Sequence, residues 1–354
     1  CGIVGYIGKK NAVSVGLECL KQLEYRGYDS AGAAFFDAKS HVTAVKAVGR
    51  VRNLEEKLGD APAAPLAIFH TRWATHGGVT EANAHPHSDC TGSVWVAHNG
   101  IVENHKELRE SLKQSGHRFS SDTDTEVIPH LIEDELKRCC FEDAVRIALG
   151  RIRGTYGLAA LYAKEPATLI AARNFSPLLV GIGPDEYLVA SDASAVLKHT
   201  KNVIYLDDGE IAVLTPREHR IYDVNRNRLN KKPHTIEWSL EQSQKGGYPH
   251  FMLKEIFEEP EAVENSLRGR LLPESGLVKL GGLAEVTEEL RRAKRILIAA
   301  CGTAYFAGRI AEYMLEEYAG IPVEVDIASE FRYRKPVFRE GDVLLAISQS
   351  GETA

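Results

Sequence analysis

The spacing of apolar and polar positions divides the chain into two stretches of different rhythm. At the start, Cys1-Gly2-Ile3-Val4-Gly5-Tyr6-Ile7 is apolar and rich in strand formers, so a strand is expected to begin at residue 1 and anchor the terminus. Ala12–Glu24 carries Val15, Leu20 and Leu23 and reads as a helix. Short apolar runs then predict strands at Ala33–Phe36, Val42–Val48, Leu66–Thr71 and Val94–His98. Helices are expected at Glu103–Lys113 and Glu126–Cys139. Six more strands are expected: Tyr156–Tyr162, Leu169–Arg173, Leu178–Ile182, Tyr187–Ser191, Val203–Leu206 and Glu210–Thr215. Many strands with few helices imply stacked antiparallel sheets with helices outside, an α+β arrangement reaching residue 238.

The rhythm changes afterwards. Residues 239–247, SLEQSQKGG, are polar and close on Gly-Gly, as a linker would. His250–Glu264 is helical in pattern, although Pro260 argues against one unbroken helix. Glu285–Ala293 reads as a helix. Next come a strand (Arg295–Ala300), a helix (Ala304–Tyr318), a strand (Pro322–Ile327), a short helix (Ser329–Tyr333) and a strand (Val343–Ile347). That alternation is the signature of a parallel α/β sheet. The expected organisation is a domain over 1–238, a linker over 239–247, and the first part of a second domain over 248–354. Three parallel strands with no helix to cover the last make a small sheet, so the chain is expected to be a fragment.

Composition narrows the function classes. A chain of 354 residues, 44% hydrophobic, can form real cores without disulfide staples. The net charge of -6 gives no reason to expect nucleic acid or an anionic membrane as partner. No apolar run is long enough to span a bilayer, and the start lacks the layout of a signal peptide. The six cysteines (Cys1, Cys19, Cys90, Cys139, Cys140 and Cys301) form no CxxC pair, which fits a reducing, cytoplasmic setting. No linear metal motif such as HExxH occurs, so no metal and no cofactor are expected.

The first residue carries the sharpest candidate chemistry. A cysteine at position 1 places a thiol and a free α-amine on one Cα. The amine, with a reference pKa of about 7.7–8.0, can take the thiol proton and later return it to a leaving amine. Asn99-Gly100 could supply a carboxamide and a backbone N–H to an oxyanion, although Asn-Gly is also the commonest hairpin turn. Arg72 could clamp a carboxylate with two parallel hydrogen bonds, or form a surface ion pair. Asp124 could receive an ammonium, or could cap the helix that follows it. His76 could orient a substrate. Farther on, Cys301-Gly302-Thr303 and Ser348-Gln349-Ser350-Gly351-Glu352-Thr353 each follow a short apolar strand. Hydroxyls and glycines there, ahead of a helix N-terminus, make an anion site suited to a phosphate.

The combination of CGIVG at 1–5, EYRGYDSAG at 24–32, HTRWATHG at 70–77, NAHPH at 83–87, HNG at 98–100 and TDTE at 123–126 resembles the class II glutamine amidotransferases, which are N-terminal-nucleophile hydrolases. By that resemblance Cys1 attacks the glutamine side-chain amide, and Asn99 and Gly100 form the oxyanion hole. Arg72 and Asp124 hold the glutamine α-carboxylate and α-ammonium, Thr75 and His76 line the pocket, and Trp73 is a gate on a lid over residues 72–80. The later segments resemble a sugar isomerase (SIS) domain, which implies that Thr303, Ser348, Gln349, Ser350 and Thr353 bind a sugar phosphate. Family members that join the two pieces transfer glutamine nitrogen to fructose 6-phosphate, giving glucosamine 6-phosphate and glutamate, and dimerise through the isomerase portion. Ala304 stands where that family has serine. The family's remaining isomerase residues are expected beyond residue 354, which would leave this chain with glutaminase chemistry alone. Two other readings compete: the glutaminase domain of a phosphoribosyl, asparagine or glutamate synthase type, and a non-catalytic sugar-phosphate sensor on the same scaffold.

Overall fold

The computed structural model describes residues 1–37, 41–60, 63–73, 77–237, 248–267, 270–272 and 276–349. They fall into two compact units, Cys1–Gln244 and Lys245–Ala354.

The first unit is four layers deep. Its opening elements are β1 (Gly2–Gly8), α1 (Ala12–Gln22), β2 (Ser30–Phe36), β3 (Val42–Val48), α2 (Val51–Leu58) and β4 (Leu66–Arg72). There follow β5 (His87–Ser88), β6 (Val94–Val102), α3 (His105–Gln114), α4 (Val127–Glu135) and α5 (Phe141–Gly150). The remainder is strand: β7 (Gly154–Tyr162), β8 (Leu169–Asn174), β9 (Leu179–Gly183), β10 (Glu186–Ala190), β11 (Asn202–Tyr205), β12 (Glu210–Leu214), β13 (His219–Asp223), β14 (Arg228–Leu229) and β15 (His234–Thr235). One sheet runs β15-β11-β9-β10-β1-β4-β2-β3 and the other β14-β13-β12-β8-β7-β6-β5. The pairings within both are antiparallel.

Alternation along β1 explains the layers. Ile3 and Ile7 face the second sheet, joining Ile68 of β4, Ala97 of β6 and Leu161 of β7 in the core between the sheets. Val4 and Tyr6 point the other way, onto Val15, Cys19 and Leu20 of α1. On the far side of the second sheet, Leu131 and Ile132 of α4 and Ala144 and Val145 of α5 cover Val96, Leu158 and Ile170. Buried on both faces, the middle strands read as nearly continuous apolar runs. Both sheets lead to one site: Cys1 immediately precedes β1, and β6 carries residues 98–100.

The second unit is a parallel sheet. Its elements are α6 (Phe251–Leu267), β16 (Leu271–Leu272), β17 (Leu277–Val278), α7 (Thr287–Arg291), β18 (Arg295–Ala300), α8 (Gly302–Ala319), β19 (Val323–Ile327), α9 (Ala328–Phe331) and β20 (Asp342–Ile347). α6 runs through Pro260, so the expected break does not occur. The strand order β19-β18-β20 places β18 at a switch point, with chain crossing to one side and then the other. The expected linker, 239–247, lies outside the described residues.

Candidate active site

β1 hydrogen-bonds to β10 on one side and β4 on the other, so Cys1 sits at the mouth of a fully paired strand. Its α-amine donates to the Arg26 carbonyl at 2.5 Å. Its carbonyl accepts from Arg26 Nε at 3.0 Å and from Asn99 Nδ2 at 3.4 Å. The thiol meets the backbone of Trp73, with Trp73 N–H donating to Sγ at 3.2 Å and Sγ lying 3.5 Å from the Trp73 carbonyl. The Trp73 carbonyl can therefore accept from the thiol, while the Trp73 N–H can stabilise a thiolate. The indole is half exposed and packs edge-on against Tyr28 at 5.4 Å.

The turn carrying Arg26 reaches this position because Gly27 has no side chain. A Cβ on Gly27 would lie 2.6 Å from the Arg72 carbonyl carbon. Thr71 Oγ1 clasps the same turn by donating to the Gly27 carbonyl.

Asn99 and Gly100 lie inside β6, paired with Gly157 and Tyr156 of β7. The hairpin-turn alternative is thus excluded, and β6 runs on to Val102 rather than ending at His98. The Asn99 carboxamide is held at both ends. Its Oδ1 accepts from His70 Nε2 at 2.9 Å, and its Nδ2 also donates to Ser191 Oγ at 3.1 Å. Burial, together with the positive amino terminus, pushes the His70 imidazole down to about 3, so His70 is a neutral donor. Ser191 is fixed in turn by accepting from Ile3 N–H at 2.8 Å. At Gly100, φ is +126° and a Cβ would stand 2.1 Å from the Thr155 carbonyl oxygen, so only glycine fits.

Arg72 ends β4 and is buried, which removes the surface ion-pair alternative. Burial lowers its pKa, opposed by the carboxylates of Asp29 and Asp124, and the guanidinium remains a cation. It donates to the Gly78 carbonyl at 3.1 Å and the Gly77 carbonyl at 3.5 Å. Asp124 is also buried, and it accepts from Val102 N–H at 2.7 Å. Asp124 does not cap α4; the helix follows Glu126 with no side-chain cap. Instead Glu126 gathers the loop, accepting from the backbone and hydroxyl of both Ser120 and Ser121 at 2.7–2.8 Å. Thr75 and His76 lie outside the described residues.

In the second unit, Cys301, Gly302 and Thr303 follow β18, and Ser348 and Gln349 follow β20. The register pairs Ala300 with Ile347, so the two segments leave neighbouring strands side by side. Thr303, Ser348 and Gln349 are exposed there, with Thr303 in the first turn of α8. Ser350 and Thr353 lie outside the described residues.

Sequence reasoning gave no role to Arg26, His70 or Ser191. Arg26 and His70 lie within the conspicuous motifs, but Ser191 had no local signal, because its partners are Ile3 and Asn99.

The sequence profile of the glutamine amidotransferase domain matches residues 70–198, and that of the SIS domain matches residues 289–354. The glutamine phosphoribosylpyrophosphate amidotransferase of B. subtilis shares the fold at a TM-score of 0.56, with 22% identity over 92% of this chain and 65% of that one. Fold and profiles together define a glutamine amidotransferase of the N-terminal-nucleophile type, joined to SIS sequence. More narrowly, the chain is similar along its whole length to the glutamine–fructose-6-phosphate aminotransferases. All of it aligns with the enzyme so named from Chlorobaculum tepidum at 47% identity, and with that from Thermus thermophilus at 46%. It spans 58% of the length of each. No helix among the described residues is long and apolar enough to cross a membrane.

Proposed function

We propose that the first unit hydrolyses glutamine at Cys1. The thiolate attacks the side-chain carbonyl carbon, and its proton passes through the α-amine to the departing nitrogen, releasing ammonia. Water then cleaves the γ-glutamyl thioester to glutamate and restores the thiol. Asn99 Nδ2 and the Gly100 N–H receive the oxyanion; Arg72 and Asp124 hold the α-carboxylate and α-ammonium, with Thr75 and His76 beside them. Trp73 gates the exit. The observation that carries this reading is the amino-terminal thiol lying against a backbone N–H at 3.2 Å, with a fixed carboxamide donor 3.4 Å from the same residue's carbonyl.

The second unit and the names of the relatives support a sugar phosphate as the ammonia's acceptor. The segments after β18 and β20 suit a sugar phosphate, with Thr303, Ser348, Gln349, Ser350 and Thr353 as its ligands. Fructose 6-phosphate would then be aminated to glucosamine 6-phosphate by the full-length protein. The glutaminase portion would be 1–238, the linker 239–247 and the isomerase portion 248 onward, in a cytoplasmic homodimer.

Glutamate release from glutamine tests the reading, with Cys1→Ala as control and intact mass confirming a free Cys1. Release by the native chain and none by the variant is expected. Equal release by both would remove Cys1 from the chemistry.

A further inference from the structure

Away from Cys1, Cys90, His117, His130 and Glu133 converge with one ligand atom each, all within 4.8 Å of one another. They come from three segments: the turn between β5 and β6, the loop after α3, and α4. Cys90 Sγ lies 3.6 Å from His117 Nδ1 and 3.6 Å from His130 Nδ1. The two Nδ1 atoms are 3.3 Å apart, and Glu133 Oε2 is 3.0 Å from the first and 3.4 Å from the second. A tetrahedral zinc site with bonds of about 2.0–2.3 Å has ligand-to-ligand edges of about 3.3–3.6 Å. Five of the six edges here are 3.0–3.6 Å, close to those of such a tetrahedron, and the sixth, Cys90 to Glu133, is within 4.8 Å.

The surroundings suit a cation as well. His117 Nε2 faces Asp134 Oδ1 at 3.0 Å, and a carboxylate can only accept, so Nε2 carries the proton and Nδ1 offers its lone pair inward. His130 Nδ1 faces the same spot, whereas its Nε2 is buried 3.9 Å from Glu126 Oε1, beyond hydrogen-bond distance. Cys90 Sγ accepts from the Arg118 N–H at 3.3 Å, which favours a thiolate, although burial and the Glu133 carboxylate hold the thiol pKa up while no cation is bound. A sulfur, two imidazole nitrogens and a carboxylate oxygen thus converge on one spot, and all are donor types that zinc takes.

We propose that these four residues bind a Zn(II) ion in a closed, structural site. Its ligands His117 and His130 bracket the loop that holds Asp124, so the metal staples that loop to α4 and to the β5–β6 turn. The assignment does not depend on the role proposed for Asp124. No linear motif announces the site; the only local hint is His130 and Glu133 three residues apart on one helix face.

Metal analysis of the purified chain tests the proposal, followed by titration of the stripped chain with Co(II) and Zn(II). About one equivalent per chain is expected. A thiolate-to-cobalt charge-transfer band should appear in the native chain and vanish in Cys90→Ser, while Cys140→Ser keeps it. Zn(II) should raise the melting temperature of the native chain but not of His130→Ala. Asp134→Asn, which leaves all four ligands in place, should weaken zinc binding about 10–100-fold. The absence of saturable one-to-one binding, or a charge-transfer band surviving Cys90→Ser, would overturn it. The cluster would then be a protonated His117 paired with Glu133 and Asp134.

Discussion

Asn99 illustrates how tightly one side chain is specified. Its oxygen is taken by a neutral histidine, so its NH₂ can only face Cys1 and Ser191. Asn99→Ala is therefore expected to lower kcat for glutamine hydrolysis by about 10²–10³ with little change in KM, since the donor serves the charge that develops during reaction. A comparable loss in KM alone would place Asn99 in ground-state binding instead. His70 also dictates a pH dependence. Its folded-state pKa is near 3, and burial likewise pushes down those of His85, His87 and His98. The unfolded chain, with histidine pKa values near 6.5, then binds more protons than the folded one between about pH 3 and pH 6.5. The contribution of these histidines to stability should be flat above about pH 7 and fall as pH drops through 6.5, by up to about 1.4 kcal/mol per pH unit for each. Denaturant unfolding at pH 5 and 7 checks this: His70→Gln should show a shallower fall than the native chain, and an equal slope would mean His70 titrates normally.

At the scale of elements, what was legible was what repeats locally. The expected β3 coincides with the observed Val42–Val48, and β1, β2, β4 and α1 differ from their expected ranges by a few residues at most. α5 was missed although Phe141, Ala144, Val145, Ala148 and Leu149 keep perfect helical spacing; small alanines made its apolar face faint. α2 was missed because three buried residues, Val51, Leu54 and Leu58, carry the whole pattern. β13, His219–Asp223, near its sheet's edge, has only Ile221 buried and so no alternation to read. β6 was cut short for a different reason. The ladder from Asn99 to Val102 depends on β7, more than fifty residues on, and a local signal for a turn at Asn-Gly pointed the other way. That ladder makes Gly100→Ala a test of the element. The substitution meets a positive φ and the Thr155 carbonyl together, so it should cost at least about 1–3 kcal/mol and abolish glutaminase activity. An active, undiminished Gly100→Ala would mean that β6 does not hold this geometry in solution.

The two units differ in how much they bury, and this sets how the whole molecule should unfold. The first unit has three apolar clusters stacked as helix, sheet, sheet and helix. In the second, the cluster of described buried residues is Ile296, Ile298 and Val323, with partly buried neighbours. α8 leaves Phe306, Ile310 and Tyr313 exposed, spaced along one helix face. On β20, Leu344 and Leu345 are both exposed, and because successive strand residues point to opposite faces, neither face of that strand is sealed. A unit with so little apolar burial has a smaller margin over its chain entropy and should melt first. All three tryptophans fall at or before residue 238, so their fluorescence reports the first unit, whereas far-ultraviolet circular dichroism reports both. Heating should give a dichroism transition beginning well below the fluorescence transition, the sign of a molecule that is not two-state. Fructose 6-phosphate, if it binds after β18 and β20, should raise only the earlier step, by mass action on that unit alone. Coincident transitions would show that the units stabilise each other and unfold together. A shift of the fluorescence step alone by the sugar phosphate would move its site to the first unit.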